Sequence, residues 1–478
     1  MREKKVSEKG IPCGARKKMP LWYSLAWSSR GIAAALNVIL VGYVSFYASD
    51  VLGLSVGIIG TALLLSKIID AFTDLGIGFL IDKTHSRWGK ARPYEIFIIL
   101  QWVFTVLLFS VPSIGKTGQY VYIFIMYVMI NAICTTALGG SDSVYLARTF
   151  STDNNRIKVM SVNGVVVMLC SIVFNIVAPQ FIQQAGTSKA GWSTLALSMG
   201  IPLAIIGMLR FFLCKELPQK QEQSEAGAAA DTKESKQTNS LSFKEMLSAL
   251  GKNKYLFLLV GLMLITNIIN NLGPAATYYF KYMVGDIGAL SIANMTAVAT
   301  PFLLILFPML SRKIGTTRIL QIASALGVVG MIIRTIGGIN MATIMVGGLF
   351  NSVAVLPVSM MINTYLIDCM DYGEWKTGSR IEGLIASIVN FSAKVGQGVA
   401  AGLLGLIMGI AGYNGSLAAQ SATANTAIIA MYNILPMILY AMMFIISMMY
   451  KMDKFRPKMQ AELKVMHGET EDTPSEKE

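Results

Sequence analysis

The stretch SKIIDAFTDLGIGFLIDKTHSRWGKARPY, residues 66–94, places two aspartates inside a run that is otherwise apolar enough to cross a membrane. Asp70 and Asp74 are four residues apart, so on a helix their side chains lie on one face, one above the other. Lys67 precedes them by one turn, and Thr73 lies beside them. A carboxylate at membrane depth costs about 2.5–3.5 kcal/mol on insertion scales, so such residues usually face a bundle interior or a water-filled pathway.

Two interpretations of this acidic face remain open. In the first, the oxygens of Asp70, Thr73 and Asp74 bind a hard cation, which is Na⁺ if transport is coupled to sodium. In the second, Lys67 and Asp70 form an ion pair that only holds neighbouring helices together. The second interpretation leaves Asp74 without a partner in the local sequence, so we favour the cation site.

The composition is that of an integral membrane protein. The mean hydropathy is +0.56, and 14% of the residues are charged, against about 25% in soluble domains. Apolar runs of roughly 20 residues, each long enough to span a bilayer, recur twelve times along the chain. The sequence therefore predicts an all-α membrane protein with twelve transmembrane helices.

The net charge of +13 is a feature of topology here, and nucleic acid is not expected as a partner. Lysines and arginines recur in every even-numbered connection between spans, whereas the odd-numbered connections contain almost none. Because basic connections stay on the inner side, both termini are predicted to be cytoplasmic in a multi-pass protein of the cell membrane. Membrane lipid is then the expected surrounding.

Changes in polarity divide the chain into five parts. The predicted parts are a basic cytoplasmic tail (1–20), six spans (21–215), a cytoplasmic linker with an amphipathic helix (216–254), six further spans (255–450) and a charged cytoplasmic tail (451–478). Two six-helix halves joined by a long linker are typical of secondary transporters, whose site lies between the halves near mid-membrane.

Other charged residues at membrane depth are candidates for binding or coupling. Arg30 in the first span either snorkels to the lipid headgroups or points into a cavity, and both alternatives remain open. Arg334 lies in the ninth span. The fourth span contains Asp142, together with Asn131 and Thr136, to which no role is assigned.

In three segments the chain resembles the glycoside–pentoside–hexuronide:cation symporters, the melibiose permease family of the major facilitator superfamily. These segments are SDVLGLSVGIIG and its continuation (49–94), NNLGPAATYYFKYMVGD (270–286), and DYGEWKTGSRIEG with AKVGQG downstream (371–398). The resemblance implies a major facilitator fold with its two six-helix halves.

The resemblance also implies roles for individual residues. In the family, the acids of a D-A-x-x-D motif on the second span hold the coupling cation, and they correspond to Asp70 and Asp74. A polar residue before the second acid corresponds to Thr73. The family's lysine on span eleven, near the sugar and cation sites, corresponds to Lys394, for which a structural ion pair is the alternative.

The chain departs from melibiose permease at the sugar-binding positions. Ala34, Gly140 and Val144 stand where that transporter has two acids and a tryptophan, and its arginine on span five falls near Gly164. Asp142 is displaced by two positions, which turns it by roughly 200° on a helix. The α-galactoside set is therefore missing.

The sequence predicts a symporter that moves a sugar, glycoside or hexuronide by alternating access. No cofactor is expected besides the coupling cation, which is Na⁺ or H⁺. The cationic groups of Arg30, Arg334 and Lys394 favour a sugar acid over a neutral glycoside. The alternative on the same fold is a carrier of amphipathic lipids or drugs. An enzyme is not expected, because the chain lacks HExxH and its two histidines lie in a loop and a tail.

Overall fold

The computed structural model describes residues 19–84, 86–216, 251, 253–378 and 382–466, and within these ranges the regular structure is helical throughout. Eleven helices of this part are long and apolar enough to cross a membrane. The predicted third span is shorter, because a 3₁₀ turn at Arg92–Ile96 occupies its beginning and the helix Phe97–Leu108 has 12 residues. All twelve predicted spans thus contain helix.

We number the helices in chain order. They are α1 (Leu21–Val51), α2 (Val56–Lys83), α3 (Phe97–Leu108), α4 (Gly115–Thr149), α5 (Asp153–Ala185), α6 (Lys189–Leu213), α7 (Lys254–Val284), α8 (Leu290–Ser311), α9 (Thr316–Gly337), α10 (Met341–Thr377), α11 (Glu382–Ile410), α12 (Ala422–Met449) and α13 (Met452–Met466).

Four of these helices contain a π-helical turn, a feature that is frequent at functional sites. The turns are Tyr47–Val51 in α1, Met129–Thr135 in α4, Phe280–Val284 in α7 and Ala430–Ile434 in α12. Two of them, in α1 and α7, are the final turns before an odd-numbered connection.

The chain packs as two compact units. Unit 1 comprises Met1–Lys220, Asn271–Met295 and Gln397–Tyr432. In it, α1 packs against α5 and α6, and α3 packs against α6. Unit 2 comprises the remaining segments, Gln221–Asn270, Thr296–Gly396 and Asn433–Glu478, and α9 packs there against α10 and α12. The bounds given above for the two six-helix halves, 21–215 and 255–450, stay a prediction.

A carboxylate fixes the connection between α2 and α3 in unit 1. Glu216, just after α6, accepts hydrogen bonds from the consecutive backbone N–H groups of Lys90, Ala91 and Arg92 at 3.0, 2.8 and 2.7 Å. Three successive amides around one anion form a backbone nest. The Arg92 guanidinium also donates to the carbonyl of Phe211, at 2.9 Å from Nε. This even-numbered connection is therefore held against the end of α6.

The tail predicted after residue 450 begins with a helix in unit 2. Asp453 of α13 accepts hydrogen bonds from the Thr316 hydroxyl at 2.6 Å and the Thr317 amide at 2.8 Å. Burial opposes ionisation of Asp453, but these hydrogen bonds and the nearby Arg456 lower its pKa below the usual range. Arg456 also pairs with Asp368 of α10. Residues 467–478 and nearly all of the predicted linker and its amphipathic helix lie outside the described residues.

Candidate cation site and buried charge network

Asp70 and Asp74 of α2 share one hydroxyl group from α4. The Thr136 Oγ1 atom lies 3.0 Å from Asp70 Oδ1 and 2.9 Å from Asp74 Oδ1. A hydroxyl has one proton, so it donates to one carboxylate at a time and offers its lone pairs to another ligand. Asp70 is 5% exposed, whereas Asp74 is exposed. The two carboxylates therefore lie on one face of α2, as the four-residue spacing predicts.

Lys67 joins the same face. Its Nζ atom donates to Asn131 Oδ1 at 2.8 Å and lies 3.7 Å from Asp70 Oδ2. The Lys67–Asp70 ion pair of the second interpretation is thus present, but Asp74 also has a partner, which comes from α4. The Thr73 hydroxyl donates to the backbone carbonyl of Asp70 at 3.0 Å, rather than to a carboxylate.

The π-helical turn of α4 places two polar residues toward α2. Asn131 lies inside this turn and Thr136 directly follows it. In a regular α-helix, residues five apart point about 140° away from each other. The wider π turn brings both side chains to the acidic face. The sequence analysis assigned no role to Asn131 or Thr136, and the available signal was only that they are polar residues in an apolar span.

The chemistry of this site suits a hard monovalent cation or a proton. Its donors are carboxylate and hydroxyl oxygens, which are preferred by hard cations. Among the described residues, no group of three or more His, Cys, Asp and Glu could hold a metal ion. Beyond the two carboxylates, the ligands available here are therefore neutral oxygens, of which Thr136 Oγ1 is the nearest.

A second cluster, the Arg30–Arg210 network, consists of Arg30, Glu95, Asp142 and Arg210. Asp142 pairs with Arg30, and its Oδ1 atom lies 2.6 Å from Arg210 Nη2. Glu95 Oε2 lies 3.7 Å from Arg210 Nε and 3.9 Å from Arg30 Nε. The two positive and two negative charges balance. Arg30 is 8% exposed, so it does not snorkel to the headgroups.

Arg210 is held by aromatic rings as well as by acids. The centre of its guanidinium group lies 3.5 Å from the centroid of the Trp27 ring and 4.9 Å from that of Tyr145. Cation–π contacts of this kind strengthen when they are removed from water. The sequence analysis did not single out Arg210 or Glu95, although each is a charged residue within or beside an apolar run.

The remaining candidates lie in unit 2. Arg334 of α9 is 7% exposed, and its Nε atom donates to Asn433 Oδ1 at 2.8 Å. Lys394 is half-buried on α11. The roles assigned to Arg334, Lys394 and Asp142 in binding or coupling stay predictions.

One departure from melibiose permease has a packing explanation. A Cβ atom added to Gly140 of α4 would lie 2.8 Å from Ile77 Cγ2 of α2. A larger residue at this position would push α4 away from α2, the helix that carries the two acids. At Gly164, by contrast, an added Cβ would meet nothing within 4 Å.

Residues 31–454 match the MFS/sugar transport protein family, and the chain belongs to this family. The resemblance to the glycoside–pentoside–hexuronide:cation symporters is thereby confirmed, as is the all-helical major facilitator fold. The protein is a multi-pass membrane transporter and not an enzyme. The family assignment also favours a sugar over the amphipathic lipid or drug considered as an alternative.

Individual relatives agree with this assignment over most of their length. The isoprimeverose transporter of Lactiplantibacillus pentosus is 31% identical over 471 residues, covering 95% of this chain and 93% of that protein. The glucuronide carrier protein homolog of Escherichia coli (strain K12) is 25% identical over 397 residues, covering 82% and 83%. The crystal structure of a D-xylose-proton symporter has a TM-score of 0.59 at 15% identity, covering 89% of this chain and 96% of that one, and it supports the fold.

Proposed function

We propose that this transporter is a symporter that takes up a glycoside together with a cation bound by Asp70, Asp74 and Thr136. The main support for this proposal is that the Thr136 hydroxyl lies within 3.0 Å of both carboxylates of α2. Thr73 and Asn131 orient the site, through the Asp70 carbonyl and the Lys67 ammonium group. Lys394 links the cation site to the solute. The basic even-numbered connections support a cytoplasmic location for both termini and the linker.

A Thr136 variant decides whether the cation is Na⁺ or H⁺. We expect Thr136→Ala to reduce the apparent affinity for Na⁺ by about tenfold, because it removes one neutral oxygen ligand but neither charge. If H⁺ is the coupling ion, transport driven by a proton gradient should change little. The measurement is solute-dependent cation uptake into proteoliposomes, in Na⁺ and in Na⁺-free buffers.

The neighbouring Thr135 supplies the control for this experiment. Its hydroxyl donates to the backbone carbonyl of Ile130 at 2.9 Å and accepts from Gln101. Thr135→Ala should therefore leave the Na⁺ dependence unchanged. An equal loss of Na⁺ affinity in the two variants would contradict the assignment of Thr136 as a ligand.

We further propose that the solute is a neutral glycoside that contains a pentose, such as isoprimeverose. The isoprimeverose transporter aligns with 95% of this chain at 31% identity. The preference for a sugar acid rested on three cationic groups, but Arg30 has two acids as partners and Arg334 has Asn433. An anionic sugar is then not needed to balance Arg30.

Competition for uptake tests the solute. With labelled isoprimeverose in proteoliposomes, we expect uptake that unlabelled isoprimeverose and simple xylosides inhibit. Melibiose should inhibit weakly, since Ala34 and Gly140 cannot accept hydrogen bonds from sugar hydroxyls as acids do. Strong binding of glucuronides together with no binding of isoprimeverose would show that the sugar acid is the better proposal.

A further inference from the structure

A polar cluster lies at the side of unit 1 where the odd-numbered connections are found, far from the acids of α2. We call it the Asp50 cluster, and it consists of Asp50, Lys281, Tyr282 and Tyr413. The Asp50 carboxylate pairs with Lys281 and accepts hydrogen bonds from the hydroxyls of Tyr282 and Tyr413, both at 2.7 Å. The two tyrosine hydroxyls lie 3.1 Å apart. The Asp50 side chain is 0% exposed and that of Lys281 is 22% exposed.

The members of the cluster come from three odd-numbered connections or the helix turns that precede them. Asp50 lies in the last turn of α1, Lys281 and Tyr282 in the last turn of α7, and Tyr413 between α11 and α12. Because the chain changes side with every span, these three places lie at the same membrane face. The cluster therefore connects the predicted first half of the transporter to two segments of the predicted second half.

Neighbouring contacts reinforce this connection. The Ser49 hydroxyl lies 3.0 Å from the Tyr278 hydroxyl, which adds a contact between α1 and α7 next to Asp50.

Burial raises the pKa of the Tyr413 phenol, and the adjacent Asp50 carboxylate raises it further. The phenol consequently stays protonated and donates its hydrogen bond to Asp50.

Within unit 1, α2 and α11 pack through glycine. A Cβ atom added to Gly60 would lie 2.6 Å from Gly405 Cα and 2.7 Å from the carbonyl oxygen of Ala401. Glycines allow two helix backbones to approach this closely. Gly60 lies in the second turn of α2 and Gly405 near the end of α11, so this contact lies toward the same membrane face as the Asp50 cluster.

The polar nature of the Asp50 cluster suits a contact that opens and closes. A buried ion pair contributes less to stability than apolar packing of similar volume, so it is a poor choice for a permanent strut. When such a pair separates into water, however, both charges regain their hydration. A cluster of charged and hydroxyl groups can therefore separate at a lower cost in exposed apolar surface than a cluster of apolar side chains.

The cluster cannot share the ion of the candidate cation site. Fourteen residues separate the start of α2 from Asp70, which corresponds to about 21 Å of helix at 1.5 Å per residue. Asp50 precedes that start. Its function is thus separate from the binding of the coupling cation by Asp70 and Asp74.

We propose that the Asp50 cluster is the extracellular gate of this transporter, with Asp50 as the residue that positions the closed state. In the transport cycle the contacts of Asp50 with Lys281, Tyr282 and Tyr413 break to open the path from outside, and they re-form to close it. The extracellular placement rests on the proposed orientation; the gate itself depends on neither the identity of the solute nor that of the cation.

Labelling of a buried cysteine tests the gate in the full-length transporter. Ser45 is 4% exposed and lies one helical turn before Ser49. In a background without the native cysteines, Ser45→Cys is treated with a membrane-impermeant maleimide in intact cells. Asp50→Ala should raise the labelling rate about tenfold or more, the population shift expected when a charge-assisted hydrogen bond of the closed state is lost. Lys281→Gln and Tyr413→Phe should raise it by smaller factors.

The matched control is Asp286→Asn. Asp286 is an exposed acid close to Lys281, and its carboxylate accepts a local hydrogen bond from the Gly288 amide at 2.8 Å. The Asp286→Asn substitution should therefore leave the labelling rate of Ser45→Cys unchanged. The thermal stability of each purified variant identifies those that fail to fold. If Asp50→Ala does not fold, Tyr413→Phe, which removes a single hydroxyl, still tests the gate.

Two outcomes would overturn parts of the proposal. Unchanged labelling in folded Asp50→Ala, Lys281→Gln and Tyr413→Phe would show that the cluster is a static strut. Labelling that rises only in inside-out vesicles would overturn the extracellular placement and the proposed orientation, while supporting a gate on the opposite face. Failure of isoprimeverose to compete for uptake would change neither result.

Discussion

Asp70→Asn and Asp74→Asn are each expected to abolish accumulation of the solute against its gradient. Asparagine has nearly the shape of aspartate and can still accept a hydrogen bond from Thr136, but it lacks the negative charge that balances the cation. Losing one charged ligand should weaken cation binding by about 100-fold, which corresponds to about 2.7 kcal/mol. Without a bound cation, the ion gradient no longer drives the solute uphill.

The measurement separates coupling from solute movement. Cation-driven accumulation is measured in membrane vesicles, and solute exchange at equal concentrations is measured in the same preparation. Accumulation should disappear in both variants, while solute exchange at equal concentrations continues. Asp82→Asn is the control on the same helix, because Asp82 is an exposed acid paired with Lys90 at 2.8 Å. Undiminished accumulation in both α2 variants would refute the proposed cation site.

The acidic face of α2 could be predicted because it depends on local spacing alone. Residues at i and i+4 share a helix face regardless of what surrounds them. The Thr136 hydroxyl could not be assigned to the same site, because its direction depends on the π-helical turn Met129–Thr135. No pattern that we read in the sequence marks this turn.

The membrane-spanning helices could be predicted for a similar physical reason. Each helix that crosses a bilayer needs a long apolar run, and that run is visible without knowledge of its neighbours. The third span is the exception in length, because a 3₁₀ turn, Arg92–Ile96, with Pro93 at its start, comes first and the α-helix starts only at Phe97.

Partners that come from distant parts of the chain could not be predicted. The environment of Arg30 is set by Glu95, Asp142 and Arg210, which lie 65 or more positions further along the chain. Local sequence therefore left two alternatives open for Arg30, a snorkelling side chain or one in a cavity. The partners of Asp50 are more distant still, since Lys281 follows it by 231 positions.

The Arg30–Arg210 network yields the second large expected effect, a loss of folded protein in Arg210→Met. Arg210 is 1% exposed and lies 2.6 Å from Asp142 and 3.7 Å from Glu95. Removing one partner from a buried ion pair typically costs about 3–5 kcal/mol, because the remaining charge stays buried. Glu95 would then retain only Arg30 at 3.9 Å among the ion pairs of the network. We expect a marked fall in membrane expression and in the apparent melting temperature of the purified transporter.

Two further variants distinguish a charge imbalance from a general sensitivity to mutation. In Arg148→Met the lost ion pair is long, 3.8 Å to Glu216, and Arg148 is 31% exposed, so this control should cost about 0–1 kcal/mol. The double variant Arg210→Met/Glu95→Gln removes one positive and one negative charge, and Arg30 remains paired with Asp142. It should recover part of the melting temperature lost in Arg210→Met. If Arg210→Met were as stable as Arg148→Met, or if the double variant were less stable than Arg210→Met, an uncompensated buried charge would not be the cause of the lost stability.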